Sequence, residues 1–164
     1  MIDRVVINAS PLITLFKSQQ ADLLPQLFKE VIVSQGVWDE VTACKPEDIA
    51  AQQLKAATWI RRVNTVEVPA AIAAWDLGRG ETEVLSWATN HPDYAAIVDD
   101  LAARRCANAL EIKVFGTGAV LILAKRRGLI DRVAPRLQML RETGLYLSDR
   151  LVQLLKEQAN ELNS

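Results

Sequence analysis

Histidine occurs once in these 164 residues and cysteine twice, which removes most of the ligand sets that zinc or copper would use. Cys44 and Cys106 stand far apart, with no Cys-x-x-Cys pattern and no histidine beside them. They read as buried or idle thiols, neither a zinc site nor a redox pair. The lone His91 precedes Pro92 in a loop and reads as surface, so a Ser/His/Asp or Cys/His nucleophilic mechanism has little to stand on. Four Trp, two Tyr and three Phe mark out no base-stacking platform. Neither a Gly-x-Gly-x-x-Gly nor a P-loop pattern occurs, so no nucleotide cofactor is indicated. No apolar run reaches the roughly 20 residues that cross a bilayer, and Met1-Ile2-Asp3-Arg4 lacks the charged-then-apolar layout of a signal peptide. The expectation is a cytoplasmic protein with no membrane partner.

What remains is the composition of one ordinary soluble domain, 50% hydrophobic and 24% charged. A chain of this length buries roughly 70% of its unfolded surface in a single core. It needs neither a disulfide nor a structural metal, and any metal would serve chemistry. The charge is unevenly spread. Residues 1–100 carry 8 basic and 14 acidic side chains, a net −6, whereas residues 101–150 carry 10 basic and 4 acidic, a net +6. Such a chain could hold a cation beside a polyanion; ordinary charged helix surfaces explain the same count.

Apolar β-branched runs alternate with helical patterns along the chain. Arg4-Val5-Val6-Ile7-Asn8 reads as a strand, followed by a helix with Ser10 as N-cap and Pro11 at its first position. A helix over 21–28 leads to the strand Val31-Ile32-Val33. The next helix carries Val37 and Val41, and another spans 46–57. Trp59-Ile60 and Val66-Glu67-Val68 read as short extended pieces, Pro69 opens a small Ala-rich helix, and Gly78-Arg79-Gly80 breaks the chain before a helix over 81–88. Tyr94 to Val98 is apolar without alternation, as in a strand covered on both faces. A helix over 101–110, a strand over 112–115, a tight turn at Gly116-Thr117-Gly118 and a helix over 119–127 with Thr117 as N-cap complete the pattern. The rest, 129–164, reads as two helices broken near Gly144. This alternation predicts a three-layer α/β/α sandwich with a mostly parallel central sheet and a helical C-terminal tail. The domain proper is expected over 1–130, with 131–164 as a helical extension packed on it.

In an open parallel sheet the ligand crevice lies beyond the carboxyl ends of the strands. Asn8 and Asp99 are each the first polar residue after an apolar strand, and the loop after each feeds a helix N-terminus able to meet an anion. Glu81 sits at helical spacing among Leu77, Val84, Leu85 and Ala88, which puts a carboxylate within an apolar stripe, where it needs a cation, a hydrogen-bond partner or water. Glu83 points another way and reads as solvated. Glu40 lies one residue from the Val37–Val41 stripe, and its neighbour Asp39 reads as more exposed. Each acid singly suits a cap, a salt bridge or plain surface; their joint placement favours a site. Oxygen ligands without His or Cys favour Mg²⁺ or Mn²⁺. Such a cation activates water and steadies phosphate oxygens, which makes phosphodiester hydrolysis the natural reaction class.

The segments Val5-Val6-Ile7-Asn8-Ala9-Ser10-Pro11-Leu12-Ile13, Val37-Trp38-Asp39-Glu40-Val41, Gly80-Glu81-Thr82-Glu83-Val84, and Ile97-Val98-Asp99-Asp100 through Gly116-Thr117-Gly118 together resemble the PIN-domain superfamily. More narrowly, they resemble a prokaryotic PIN-like family of uncharacterised proteins related to the VapC toxins of toxin–antitoxin pairs. The resemblance covers about Arg4 to Ile130. It implies a metal-dependent ribonuclease with acids clustered at the carboxyl edge of the sheet. Carried over position by position, those acids fall on Asn8, Glu40, Glu81 and either Asp99 or Asp100, with Thr117 matching a Ser/Thr near the site. Asn8 departs from the pattern, because most active PIN nucleases have Asp there. An amide can still ligate through its carbonyl oxygen but supplies no charge, which weakens a Mg²⁺ site.

These readings together make Asn8, Glu40, Glu81 and Asp99 the catalytic candidates, and Glu40, Glu81, Asp99 and Asp100 the metal-ligand candidates. Ser10, Arg104 and Thr117 are the candidates for contact with nucleic acid. Lys125-Arg126-Arg127 close a helix C-terminus, where they suit either phosphate or the helix dipole. The leading expectation is a Mg²⁺- or Mn²⁺-dependent ribonuclease, the toxin of a toxin–antitoxin pair, with RNA as substrate and an antitoxin protein and a second copy of the chain as partners. The rival is a weakened or inactive PIN-like module that binds RNA or protein. A small-molecule phosphohydrolase on the same architecture is a more distant third. Apolar stripes at Val133, Leu137, Leu140 and at Leu151, Leu154, Leu155 either close the core or form the dimer or antitoxin interface.

Overall fold

The computed structural model describes residues 2–43, 48–64 and 67–161. Cys44, the expected helix start at Pro46, and Val66 lie outside the described residues. Five strands form the centre: β1 (Arg4–Ile7), β2 (Glu30–Ser34), β3 (Ile60–Val63), β4 (Ala95–Ile97) and β5 (Val114–Phe115). All pair in parallel, in the order β3-β2-β1-β4-β5. In β1, Val5 stands opposite Val31 on one side and Ala95 on the other. Because β1 is flanked by strands on both edges and helices above and below, Val5, Val6 and Ile7 are completely buried, which is why no polar residue alternates with them.

Two helices, α1 (Ala9–Lys17) and α2 (Leu23–Leu27), join β1 to β2, and α3 (Gln35–Thr42) and α4 (Ile49–Ala56) join β2 to β3. The chain returns across the sheet through α5 (Ala70–Ala73) and α6 (Arg79–Asn90) to β4, and α7 (Leu101–Ala109) leads to β5. The strand order reverses at β1, so right-handed crossovers carry the first two connections over one face and the next two over the other. The result is the expected α/β sandwich, here with an entirely parallel sheet. After β5 come α8 (Thr117–Arg126), α9 (Ala134–Glu142) and α10 (Asp149–Gln158). Val133, Leu137, Leu140, Leu147 and Leu155 from this last part are buried in the common core, while Leu151 and Leu154 are exposed.

Several helix starts differ from the sequence reading. The first helix begins at Ala9 with Asn8 as N-cap, not Ser10. Helix α6 begins at Arg79, so Gly80 is inside its first turn instead of breaking the chain. A methyl group on Gly80 would stand 3.0 Å from Asn8 Oδ1, and the missing side chain is what lets α6 press against the end of β1. Helix α8 begins at Thr117, with Gly116 as N-cap, and there is no separate tight turn. Trp59-Ile60 leads into the real edge strand β3, whereas Glu67 and Val68 join no strand. Among the described residues no helix is long and apolar enough to cross a membrane.

Candidate active site

Reversal of strand order leaves a crevice between the carboxyl ends of β1 and β4, the usual place for a ligand in an open parallel sheet. Asn8 ends β1, and its N–H donates to the Ile97 carbonyl at 3.0 Å, which locks the two strand ends together. Asp99 follows β4. Helix α3, capped by Ser34 Oγ accepting from the Val37 N–H, carries Glu40 in its last turn. Glu81 occupies the first turn of α6, where the helix dipole favours a carboxylate. Four separate elements thus deliver Asn8, Glu40, Glu81 and Asp99 to one cavity of about 610 Å³, which Ser10 and Asp100 also line.

Asn8 is 3% exposed, and its Nδ2 donates to Glu81 Oε1 at 3.3 Å. A partner for the half-buried Glu81 is therefore supplied by the neighbouring amide. Glu40 is exposed overall, and partial desolvation of its carboxyl, then the Glu81 charge, push it above its ordinary value. The two glutamates repel each other across the crevice, and a cation between them would relieve that cost. Asp99 is held apart from this pair: its Oδ1 accepts from the Thr117 N–H at 2.8 Å and its Oδ2 from the Thr117 hydroxyl at 2.6 Å. Among the described residues no three His, Cys, Asp or Glu side chains form a ready-made metal cage. Magnesium is commonly held by one or two carboxylates, waters and substrate phosphates, not by a full protein cage. The two glutamates with an amide beside them suit a hydrated Mg²⁺ or Mn²⁺ of that kind.

The Asp pair is split by function in the fold. Asp100 Oδ2 accepts from the Ala103 N–H at 2.9 Å and caps α7, while both oxygens of Asp99 are bonded to Thr117. Thr117 itself is fully buried; it orients Asp99 and has no surface with which to meet a nucleic acid. Ser10 is exposed at the cavity. Arg104 is half-buried beside Gly116 and Asp99, reaching toward the Val98 carbonyl. Lys125 donates to Ala159 O and Glu161, and Arg127 to Leu27 O, so both serve as internal ties.

Glu83 is not solvated as its spacing suggested. Its side chain is 15% exposed and accepts from the Gly36 N–H at 2.8 Å and from Arg79 Nε at 2.9 Å. Arg79 also pairs with Asp39. This network staples the start of α3 to the start of α6, the two helices that carry Glu40 and Glu81. His91 is half-buried, its ring stacked on Trp87 at 3.7 Å between centroids. The free Cys106 is buried.

One part of the site escaped the sequence reading. Thr143, Gly144, Leu145 and Tyr146, between α9 and α10, line the same cavity as the acids. The chain break at Gly144 was visible in the sequence, but nothing local says that this turn reaches back to a crevice built more than forty residues earlier.

The chain matches the PIN-domain family over residues 4–161. It belongs to that family. No curated protein matches it. The match runs through α9 and α10, beyond Ile130 where the resemblance in sequence ended. PIN domains have a nuclease-type fold, generally use divalent metal ions and bind nucleic acid, and the acidic crevice of this one lies at the switch point that the fold reserves for ligands.

Proposed function

We propose that this PIN domain is a Mg²⁺- or Mn²⁺-dependent ribonuclease that hydrolyses RNA phosphodiester bonds. The observation that carries this reading is the delivery of Asn8, Glu40, Glu81 and Asp99 from four elements into one crevice. In this reading Glu40 and Glu81 hold the metal, the Asn8 carbonyl oxygen assists, and Asp99 completes the acidic face, with Asp100 as the weaker candidate because it caps α7. The bound cation would supply Lewis-acid activation of water and of a phosphate oxygen. The protein's own part is positional. Thr117 aims Asp99, and the Glu83 staple sets the spacing between Glu40 and Glu81. The sequence resemblance to the VapC toxins would extend the reading to a toxin restrained by an antitoxin protein, for which the exposed Leu151 and Leu154 of α10 offer an apolar face; that same face would serve a homodimer.

Labelled single-stranded RNA incubated with Mg²⁺ or Mn²⁺, beside an EDTA control and a Glu81→Gln variant, tests the proposal. Cleavage is expected with metal only, falling by about two orders of magnitude or more in the variant. Absence of cleavage from the folded protein under every metal condition would sink it.

The Asn8–Glu81 hydrogen bond favours a second reading, a module that binds RNA or protein without cutting. An amide that satisfies Glu81 by itself lowers the demand for a cation. If Asn8→Asp creates strong metal-dependent cleavage where the natural protein has none, this second reading stands.

A further inference from the structure

The cavity has a mixed lining. Besides the acidic set it includes Leu101, Leu145 and Tyr146, and Leu101 is 62% and Tyr146 86% exposed. Large apolar side chains left this open beside a polar site usually have a partner. Among the described residues no Lys or Arg lines this cavity. Apart from a cation on the glutamates, a nucleotide held there has only uncharged and apolar side chains to rest on.

The turn that carries Tyr146 is built to stay in place. Gly144 has φ +103°, a left-handed conformation that suits glycine, and its N–H donates to Arg141 O while that of Leu145 returns to Leu140 O. The Thr143 hydroxyl also bonds Leu140 O. On the far side Arg141 Nη2 ties down Leu147 O at 2.6 Å and Asp149 at 3.0 Å. Tyr146 is thus a ring presented on a tied turn, with Leu147 next to it buried in the core.

We infer that Tyr146, with Leu101 beside the same cavity, is a stacking shelf for the base of an unpaired RNA nucleotide whose phosphate lies toward the glutamates. This rests on the ribonuclease reading, and the shelf takes an unpaired base, because a base paired in a duplex cannot leave its stack without cost. Stacking on an aromatic ring is tolerant of sequence and needs no cationic side chain.

The test is the anisotropy of a fluorescein-labelled single-stranded oligoribonucleotide in EDTA, titrated with the natural protein, Tyr146→Phe and Tyr146→Ala. The same strand annealed to its complement is run in parallel, and cleavage with Mg²⁺ is measured on the same preparations. The exposed ring makes no core contact, so both variants should fold, which circular dichroism checks. The expected result is single-strand binding weakened about five- to 150-fold by Tyr146→Ala and changed less than about twofold by Tyr146→Phe, with weak duplex binding that is the same in all three. Unchanged single-strand binding in Tyr146→Ala overturns the inference. So does an equal loss in Tyr146→Phe, which would assign the effect to the hydroxyl. No single-strand binding by the natural protein overturns it, as does a change in sedimentation without a change in RNA binding, which would give the ring to a protein interface. Loss of binding in Tyr146→Ala from a protein that never cuts RNA would uphold the shelf and defeat the nuclease. Cleavage that is indifferent to Tyr146→Ala would do the reverse.

Discussion

An amide at position 8 can donate a hydrogen bond where a carboxylate can only accept, and Asn8 uses that difference, placing Nδ2 3.3 Å from Glu81 Oε1. Replacing it by Asp would set a buried charge against Glu81. In EDTA, Asn8→Asp is expected to lower stability by about 1–3 kcal/mol. Mg²⁺ at a hundred times its Kd should return about 2.7 kcal/mol, so thermal melts with and without the ion separate the variant from the natural protein. Glu40 gives a second prediction. Its folded pKa is raised by partial desolvation and by Glu81, so its neutral form favours the fold. That contribution is present below the ordinary value of 4.5 and is lost as pH rises through the folded pKa. Glu40→Gln should therefore raise Tm at neutral pH in EDTA and change it little in acid.

At the scale of elements, the site depends on helices brought unusually close. Gly116 sits between Arg104 and Asp99; a Cβ there would lie 2.7 Å from Arg104 Nη1 and 2.8 Å from Asp99 Oδ1. Arg104 can swing aside, but Asp99 is bonded twice to Thr117. Gly116→Ala is expected to cost about 1–3 kcal/mol in urea unfolding and to depress metal-dependent cleavage, because it displaces Asp99. The Glu83 staple predicts a milder effect. Glu83→Gln keeps the shape but weakens the bonds to Gly36 and Arg79, loosening α3 against α6. Cleavage should then need more Mg²⁺ for half-maximal rate, with little change in the rate at saturating ion.

For the molecule as a whole, a buried carboxylate near the end of the tail helps to fasten it. Glu161, 6% exposed, accepts from Lys125 and from the N–H groups of Val133 and Ala134. Burial alone would raise its pKa. The Lys125 bond and the two N–H groups outweigh burial and bring it down to about 2. Its stabilising contribution is present above the ordinary 4.5 and is lost as pH falls from there through about 2. At 1.36 kcal/mol per unit this amounts to about 3 kcal/mol. Urea melts of Glu161→Gln should fall below the natural protein by an amount of that order at pH 6 and converge with it in strong acid. Because this tail also positions Tyr146, the variant should weaken single-strand binding before the rest of the fold gives way.

Period and polarity along the chain determined the layers of this protein. Unbroken β-branched runs such as Val5-Val6-Ile7 could only be covered strands, and the first polar residues after them, Asn8 and Asp99, had to open at the carboxyl edge. Helical spacing placed Glu40 and Glu81 near apolar stripes. Local pattern does not encode which side chains meet across the fold, and there the tertiary structure decided. Glu83 looked solvated until α3 supplied an N–H for it. The surroundings of Asp99 and Asp100 parted when Thr117, eighteen residues from the first, bonded one carboxylate and the start of α7 bonded the other. The turn at Gly144 became a wall of the crevice only through the packing of α9 and α10, since a cavity shared by distant segments exists only after the core between them has closed.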